Sequence, residues 1–237
     1  MKLLAIETAT EFCSVALLVD DELITRSELA PRRHAELLLP MCDQVLAEAG
    51  FARSQLDAIA VGRGPGAFTG VRLAVSAAQG IALGLDRPIV PVSSLAALAF
   101  EAPVNGAPIL ALIDARMGEV YAGCFQRDAQ WLVRLVGVES VGPAAQIKLP
   151  AVAANLVGTG WETYRSVLEP RLDKRPLYCD GQRYPQAEAV ARLAVPVFEA
   201  GLACDASEVR PVYLRDNVAL TVEQQRQARS FTQGTIP

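Results

Sequence analysis

The chain has a single histidine, His34, among its 237 residues. One imidazole cannot supply the i, i+4 pair that a histidine metal site takes from one helix face. No Gly-x-Ser-x-Gly elbow accompanies it, so a serine hydrolase is equally poorly served. At the head of a helical segment, His34 reads as an exposed or cap-adjacent side chain. Cysteines are few and scattered: Cys13, Cys42, Cys124, Cys179 and Cys204, an odd number at wide spacing. That excludes a disulfide framework or a zinc ribbon and fits reduced thiols. Cys13 and Cys42 lie in apolar runs and read as packing, not as nucleophiles beside His34. Charge of one sign is also missing. Twenty-two Lys and Arg against 26 Asp and Glu give a net charge of −4 and a pI near 5.2. The surface as a whole is no platform for nucleic acid, so a basic surface would have to come from a partner. No apolar run reaches the roughly 18–20 residues of a membrane span. Met1-Lys2 leads straight into Leu3-Leu4-Ala5-Ile6 with no cleavage site, so the expectation is a cytoplasmic protein without a leader.

What is present is apolar. Hydrophobic residues make up 51% of the chain and charged residues 20%, enough for a packed α/β core in one large domain or two small ones. Short strands are expected at Leu3–Glu7, Cys13–Val19 and Glu22–Ser27, joined by the turn Thr8–Glu11 and the hairpin Asp20-Asp21. A helix follows Pro31 and runs to about Ala49, with Gly50 at its C′ position. Its apolar residues are too many for one stripe: Leu38, Cys42, Val45 and Ala49 share a face, while Leu39 and Leu46 extend toward another. Either the helix is fully buried, or one face meets the core and another a partner helix. Asp57–Val61 and Ile89–Val92 read as buried strands, and Ser93-Ser94 as the N-cap of Leu95–Phe100.

Around Glu101–Pro108 the hydrophobic pattern stops, marking a boundary. Strands are then expected at Ile109–Ile113, Glu119–Phe125, Trp131–Leu135 and Val152–Val157, with helices near Trp161–Leu168 and Ala187–Gly201. Each half begins strand–turn–strand and runs later into helices, a duplicated element order. Arg116 and Glu119, on the Asp114–Gly118 hairpin, are placed for a local ion pair.

The richest segment is Gly62-Arg63-Gly64-Pro65-Gly66-Ala67-Phe68-Thr69-Gly70-Val71-Arg72, between a strand and a helix (Thr69–Leu85) crowded with Ala and Gly. Strand, glycine loop and helix bring free N–H groups and a positive dipole end to one spot. The loop lacks the Lys-Ser/Thr of a P-loop and the spacing of a dinucleotide fingerprint. An anion site, a rigid contact surface and a tight turn with small residues for packing all remain open on loop chemistry.

Ile6–Thr10, Gly64–Arg72, Asp114–Tyr121 and Pro211–Arg215, in that order and spacing, resemble the TsaB (YeaZ) family of tRNA threonylcarbamoyladenosine biosynthesis, to about residue 216. The resemblance implies the α/β ASKHA fold (actin-like ATPase, ribonuclease H-like), with two related subdomains around a cleft. On that basis residues 1–104 form an N-terminal subdomain, 105–216 a C-terminal one and 217–237 a polar tail. It further implies a non-catalytic subunit that pairs with and activates its paralogue TsaD, which transfers threonylcarbamoyl to a tRNA adenosine, with the ATPase TsaE joining them. A homodimer is expected when the chain is alone, tRNA contact only through the complex, no metal and no intrinsic cofactor, with ATP at the level of the complex. The positions matching the TsaD-type His-x-x-x-His ligands are Ser94 and Leu98. Where TsaD-like proteins have consecutive glycines, this chain has Asp114-Ala115-Arg116-Met117-Gly118, whose acidic side chain would repel phosphate. The resemblance places the partner interface on the two helices: Leu38, Met41, Cys42, Val45, Phe68, Arg72, Ala74, Ala77 and Ala78. Glu7, Thr8, Thr10, Gly64 and Gly66 are the candidate nucleotide contacts. The alternatives are a free-standing ASKHA ATPase or small-molecule kinase and, with least support, a metallopeptidase.

Overall fold

The computed structural model describes residues 1–129 and 132–215. Trp131 of the expected strand and the tail 217–237 lie outside them. The chain opens as an antiparallel meander, β1 (Lys2–Glu7), β2 (Phe12–Val19) and β3 (Glu22–Leu29), turning at Asp20 with φ 53°. Helix α1 (His34–Ala49) crosses to β4 (Ala58–Gly62), and α2 (Phe68–Leu85) to β5 (Ile89–Val92). The sheet order is β3-β2-β1-β4-β5, with β4 parallel to β1 and to β5. As expected, α1 ends at Gly50 in the left-handed region, φ 70°, a conformation that glycine adopts without a Cβ penalty.

After α3 (Ser94–Phe100) the plan repeats. β6 (Ile109–Arg116), β7 (Glu119–Arg127), β8 (Val133–Leu135) and β9 (Ser140–Pro143) form the second meander. β10 (Asn155–Val157), α4 (Thr159–Leu168), β11 (Tyr178–Asp180) and α5 (Ala187–Glu199) follow. The second sheet reads β8-β7-β6-β10-β11, with β9 also on β7. β6, β7, β8, β10 and β11 therefore occupy the places of β1, β2, β3, β4 and β5, so the duplication read from element order is real. The strand expected over Val152–Val157 is only Asn155–Val157, and β9 and β11 were not foreseen. At three or four residues they are too short to show a period.

Alternation explains the layers, because successive strand residues face opposite sides. On β1, Leu4 and Ile6 join α1 and α2 in one core, while Leu3 and Ala5 join α5 in another. On β6, Ile109, Ala111 and Ile113 meet α3, while Leu110 and Leu112 meet α4 through Trp161 and Leu168. Burying each such Leu or Ile contributes about 1.5–3 kcal/mol. Both sheets are covered on both faces, so their central strands carry unbroken apolar runs. The lobes also exchange helices: α3 packs on the second sheet and α5 on the first.

By length and composition α2, 18 residues long, could cross a membrane, although Thr69, Arg72, Ser76 and Gln79 interrupt its apolar residues. Its stripe Val71, Ala74, Val75, Ala78 and Ala82 is instead buried on the first sheet.

Of the Ser93-Ser94 pair, Ser93 is the cap of α3: its Oγ accepts from Leu95 N at 3.1 Å and Ala96 N at 3.2 Å. Ser93→Ala should cost about 1 kcal/mol, read as a lowered urea midpoint at unchanged m-value. No shift in the midpoint would contradict the cap.

Candidate functional site

The glycine-rich loop is built around the β1–β2 turn. A Cβ on Gly62 would stand 1.9 Å from Glu7 Oε2, one on Gly66 2.3 Å from the Ala9 carbonyl, and one on Gly70 2.1 Å from the Thr8 carbonyl. Thr8 Oγ1 donates to Gly70 O at 2.8 Å, and Ala67 N–H to Ala9 O at 2.7 Å. These glycines let two backbones touch. The space directly above Gly62, Gly66 and Gly70 on their Cβ sides is filled by the chain itself.

Glu7 sits under this junction, fully buried. Its carboxyl accepts from Ala9 N at 2.6 Å and from Ser94 Oγ at 2.7 Å. Burial pushes its pKa up from the usual 4.5 to about 7, against the opposing pull of the Ser94, Ala9 and Thr8 hydrogen bonds. The folded chain therefore holds this proton more tightly than the unfolded chain. On this group's account stability falls as pH rises from about 4.5 to about 7 and is level beyond. Gln at this position can still accept from Ala9 N and donate to Ser94 Oγ. Glu7→Gln should thus gain stability relative to the parent between pH 5 and 7.5 in urea titrations, whereas parallel pH profiles would contradict this burial.

Beyond the junction lies a cleft of about 240 Å³ between the lobes. Thr10 and Gly66 line it on one side and Asp114, Arg116 and Tyr121 on the other, with Tyr213 and Arg215 at the edge. Of the five candidate nucleotide contacts, only Thr10 and Gly66 reach it; Glu7, Thr8 and Gly64 are buried behind. The expected Arg116–Glu119 pair does not form. Arg116 has φ 63° and Met117 φ 58°, which turns the Arg116 side chain across the cleft to Glu11 and back to Asp114 at 3.1 Å. Glu119 pairs with Arg215 instead. Asp114 Oδ1 accepts from Tyr164 OH at 2.9 Å and from Arg116 N at 2.8 Å, so it fixes the turn.

His34 opens α1, with Nε2 buried and without a hydrogen-bond partner among the described residues. Ser94 is spent on Glu7 and Leu98 is fully buried. Among the described residues, no group of three His, Cys, Asp or Glu is placed to hold a metal ion. Burial pushes the Cys13 thiol up to about 11 and Cys42 to about 12. Neither is a ready nucleophile at neutral pH.

On the other side of the first lobe, α1 and α2 splay apart over an apolar groove of about 700 Å³. Its floor is Leu4, Leu38, Cys42 and Leu56; its rims are Leu39 on α1 and Leu73, Ala77 and Ile81 on α2. The expected interface residues divide here. Leu38 and Cys42 are floor, but both are buried with Met41, Val45, Ala74 and Ala78 in the first core. These six are packed into the core of the first lobe, and of them Leu38 and Cys42 also line the groove. Ala77 is half-buried on the rim, and Phe68 and Arg72 are exposed. Not among the expected interface residues are Leu39, 54% exposed, and Gly80 and Gly84, all of which line the groove. A Cβ on either glycine meets nothing within 4 Å, so no contact within this chain calls for a residue that weakens a helix by about 1 kcal/mol. A glycine with open space on a helix surface was the available signal.

The family model for the tRNA N6-adenosine threonylcarbamoyltransferase TsaD matches residues 24–221. The "tRNA threonylcarbamoyladenosine biosynthesis protein TsaB" of Escherichia coli is 40% identical over 228 residues, covering 92% of this chain and 96% of that one. That of Haemophilus influenzae is 38% identical, covering 92% and 95%. The chain belongs to the TsaB family. A solved structure of YeaZ from Pseudomonas aeruginosa superposes with a TM-score of 0.82 at 44% identity, covering 90% of this chain and 99% of that one. The two-lobed ASKHA fold implied by the sequence resemblance is thus shown. In this TsaB-family chain the cleft is crossed by the chain's own ion pairs, whereas the groove is lined mostly by apolar side chains, with the Asp43–Arg53 pair among its lining.

Proposed function

We propose that this chain serves threonylcarbamoyladenosine formation on tRNA as a non-catalytic subunit, one that binds a TsaD-type transferase through the α1–α2 groove and activates it. The observation that carries the reading is the groove itself, an open apolar surface edged by Gly80 and Gly84, where a partner helix can approach closely. Phe68 and Arg72, at the head of α2, stand where the edge of such an interface would fall. Alone, the chain would use the same surface to form a homodimer. A TsaE-type ATPase joins the pair, ATP acts at the level of that complex, and tRNA is met only through it, in keeping with the net charge of −4. The setting is cytoplasmic.

The runner-up is a free-standing ATPase or small-molecule kinase, favoured by a cleft that holds Thr10, Arg116 and Arg215. Reconstituting tRNA modification from the transferase, the ATPase and the adenylate-forming enzyme separates the two. The subunit reading expects modification only when this chain is added, and no ATP turnover by the chain alone. Full modification without it would sink that reading, and turnover by the chain alone would favour the kinase.

A further inference from the structure

The stretch 206–215 is anchored along the first lobe and ends on the second. Gln79 of α2 donates to the carbonyls of Ala206 at 2.8 Å and Val209 at 3.2 Å. Val212 N–H donates to Arg63 O at 2.9 Å. Tyr213 then lies beside Phe68, ring centroids 5.8 Å apart, and its hydroxyl accepts from Arg72 Nε at 2.6 Å. The Arg72 guanidinium stands 3.8 Å from the Phe68 centroid and 5.5 Å from that of Tyr213, so the two tilted rings and the cation form one three-cornered cluster at the head of α2. Two residues later the chain reaches the other lobe. Arg215 donates to Ala115 O at 3.0 Å and pairs with Glu119, both beside the β6–β7 turn.

We propose that 211–215 is a strap that sets the opening between the lobes, anchored by Tyr213 on the head of α2 and clasped by Arg215 on the β6–β7 turn. It makes the head of α2 and the cleft one mechanical unit. A partner that shifts Phe68 and Arg72 would move the clasp and, through it, the cleft; this last step rests on the docking reading above. The clasp suits the task. The Arg215 side chain is 23% exposed and grips a carbonyl and a carboxylate together, which fixes direction as well as distance. A second ion pair across the cleft, Arg116 to Glu11, joins side chains 71% and 39% exposed, and pairs so open to water hold little. The strap is therefore a firmer polar tie across the mouth of the cleft than Arg116–Glu11, and it stands beside the stack of Phe12 on Tyr184, ring centroids 5.4 Å apart.

Hydrogen exchange on the full chain, alone in solution, tests this. The variants are Tyr213→Ala, Arg215→Gln and the two combined. Because anchor and clasp act in series, each single variant should speed exchange at 114–119 about tenfold, and the double variant no further. Exchange in β1 and at 109–113 of β6 should stay at the parent rate and report that the fold is intact. Tyr213→Phe keeps the ring and loses only the bond to Arg72, and a several-fold acceleration at 114–119 is expected there too. Parent rates at 114–119 in both Tyr213 variants would overturn the strap, as would single effects that multiply in the double variant. No partner is present, so failure here leaves the docking reading standing, and failure of docking leaves these rates unchanged.

Discussion

Gly70→Ala is expected to destabilise the folded chain by about 3 kcal/mol, the upper end of the usual range for overpacking. The added methyl would lie 2.1 Å from the Thr8 carbonyl oxygen, a backbone atom that cannot swing aside. Moving it would also break the bond that Thr8 Oγ1 donates to Gly70 O, in a buried setting. Gly84→Ala, in the same helix, makes the opposite prediction. Nothing lies within 4 Å of its Cβ, so the change should stabilise the isolated chain by up to about 1 kcal/mol through helix propensity. Urea denaturation of the two variants reads this directly. Gly70→Ala within about 0.5 kcal/mol of the parent would mean that the loop and the β1–β2 turn are not in contact.

The second large effect is on association. Gly80→Glu should weaken binding of a TsaD-type partner at least about 100-fold, because a carboxylate would be buried unpaired in an apolar interface. The position is chosen so that loss of binding cannot be mistaken for misfolding. Glu is the better helix former, and the Gly80 Cβ meets open space, so the isolated chain should be no less stable than the parent. Leu38→Glu lacks this property. Leu38 is buried in the first core, and a charge there would unfold the lobe and abolish binding whatever the interface. Titration calorimetry gives the affinity and a thermal melt the control. Unchanged affinity in a folded Gly80→Glu chain would exclude the groove as the docking surface.

Much of the fold was legible because strands and helices announce themselves by period and punctuation. The meander, the Gly50 stop and the Ser93 cap all follow from local chemistry, and the duplicated order from counting elements. What was not legible depends on which surfaces meet. The helical period separates the Leu38–Cys42–Val45 stripe from Leu39 but does not say which one the sheet takes. The expected interface residues therefore include the core stripe, while Leu39, named only as part of a second face, and Gly80 and Gly84 are not among them although all three line the groove. Glu7 reads from sequence as a candidate nucleotide contact, because nothing local reveals that Gly62 and Ser94 close over it. Arg116 and Glu119 are neighbours in sequence, yet each is paired with a residue about a hundred positions away. The reciprocal packing of α3 and α5 is likewise a property of two sheets together and of no segment alone.

The most direct test of the central claim is the rate of tRNA modification in the reconstituted system with Gly80→Glu in place of the parent chain, at concentrations that saturate the parent. If docking through the α1–α2 groove is how this chain acts, the rate should fall to the level seen with no chain added, while the variant melts as the parent does. A folded Gly80→Glu chain that supports the full rate would contradict the account.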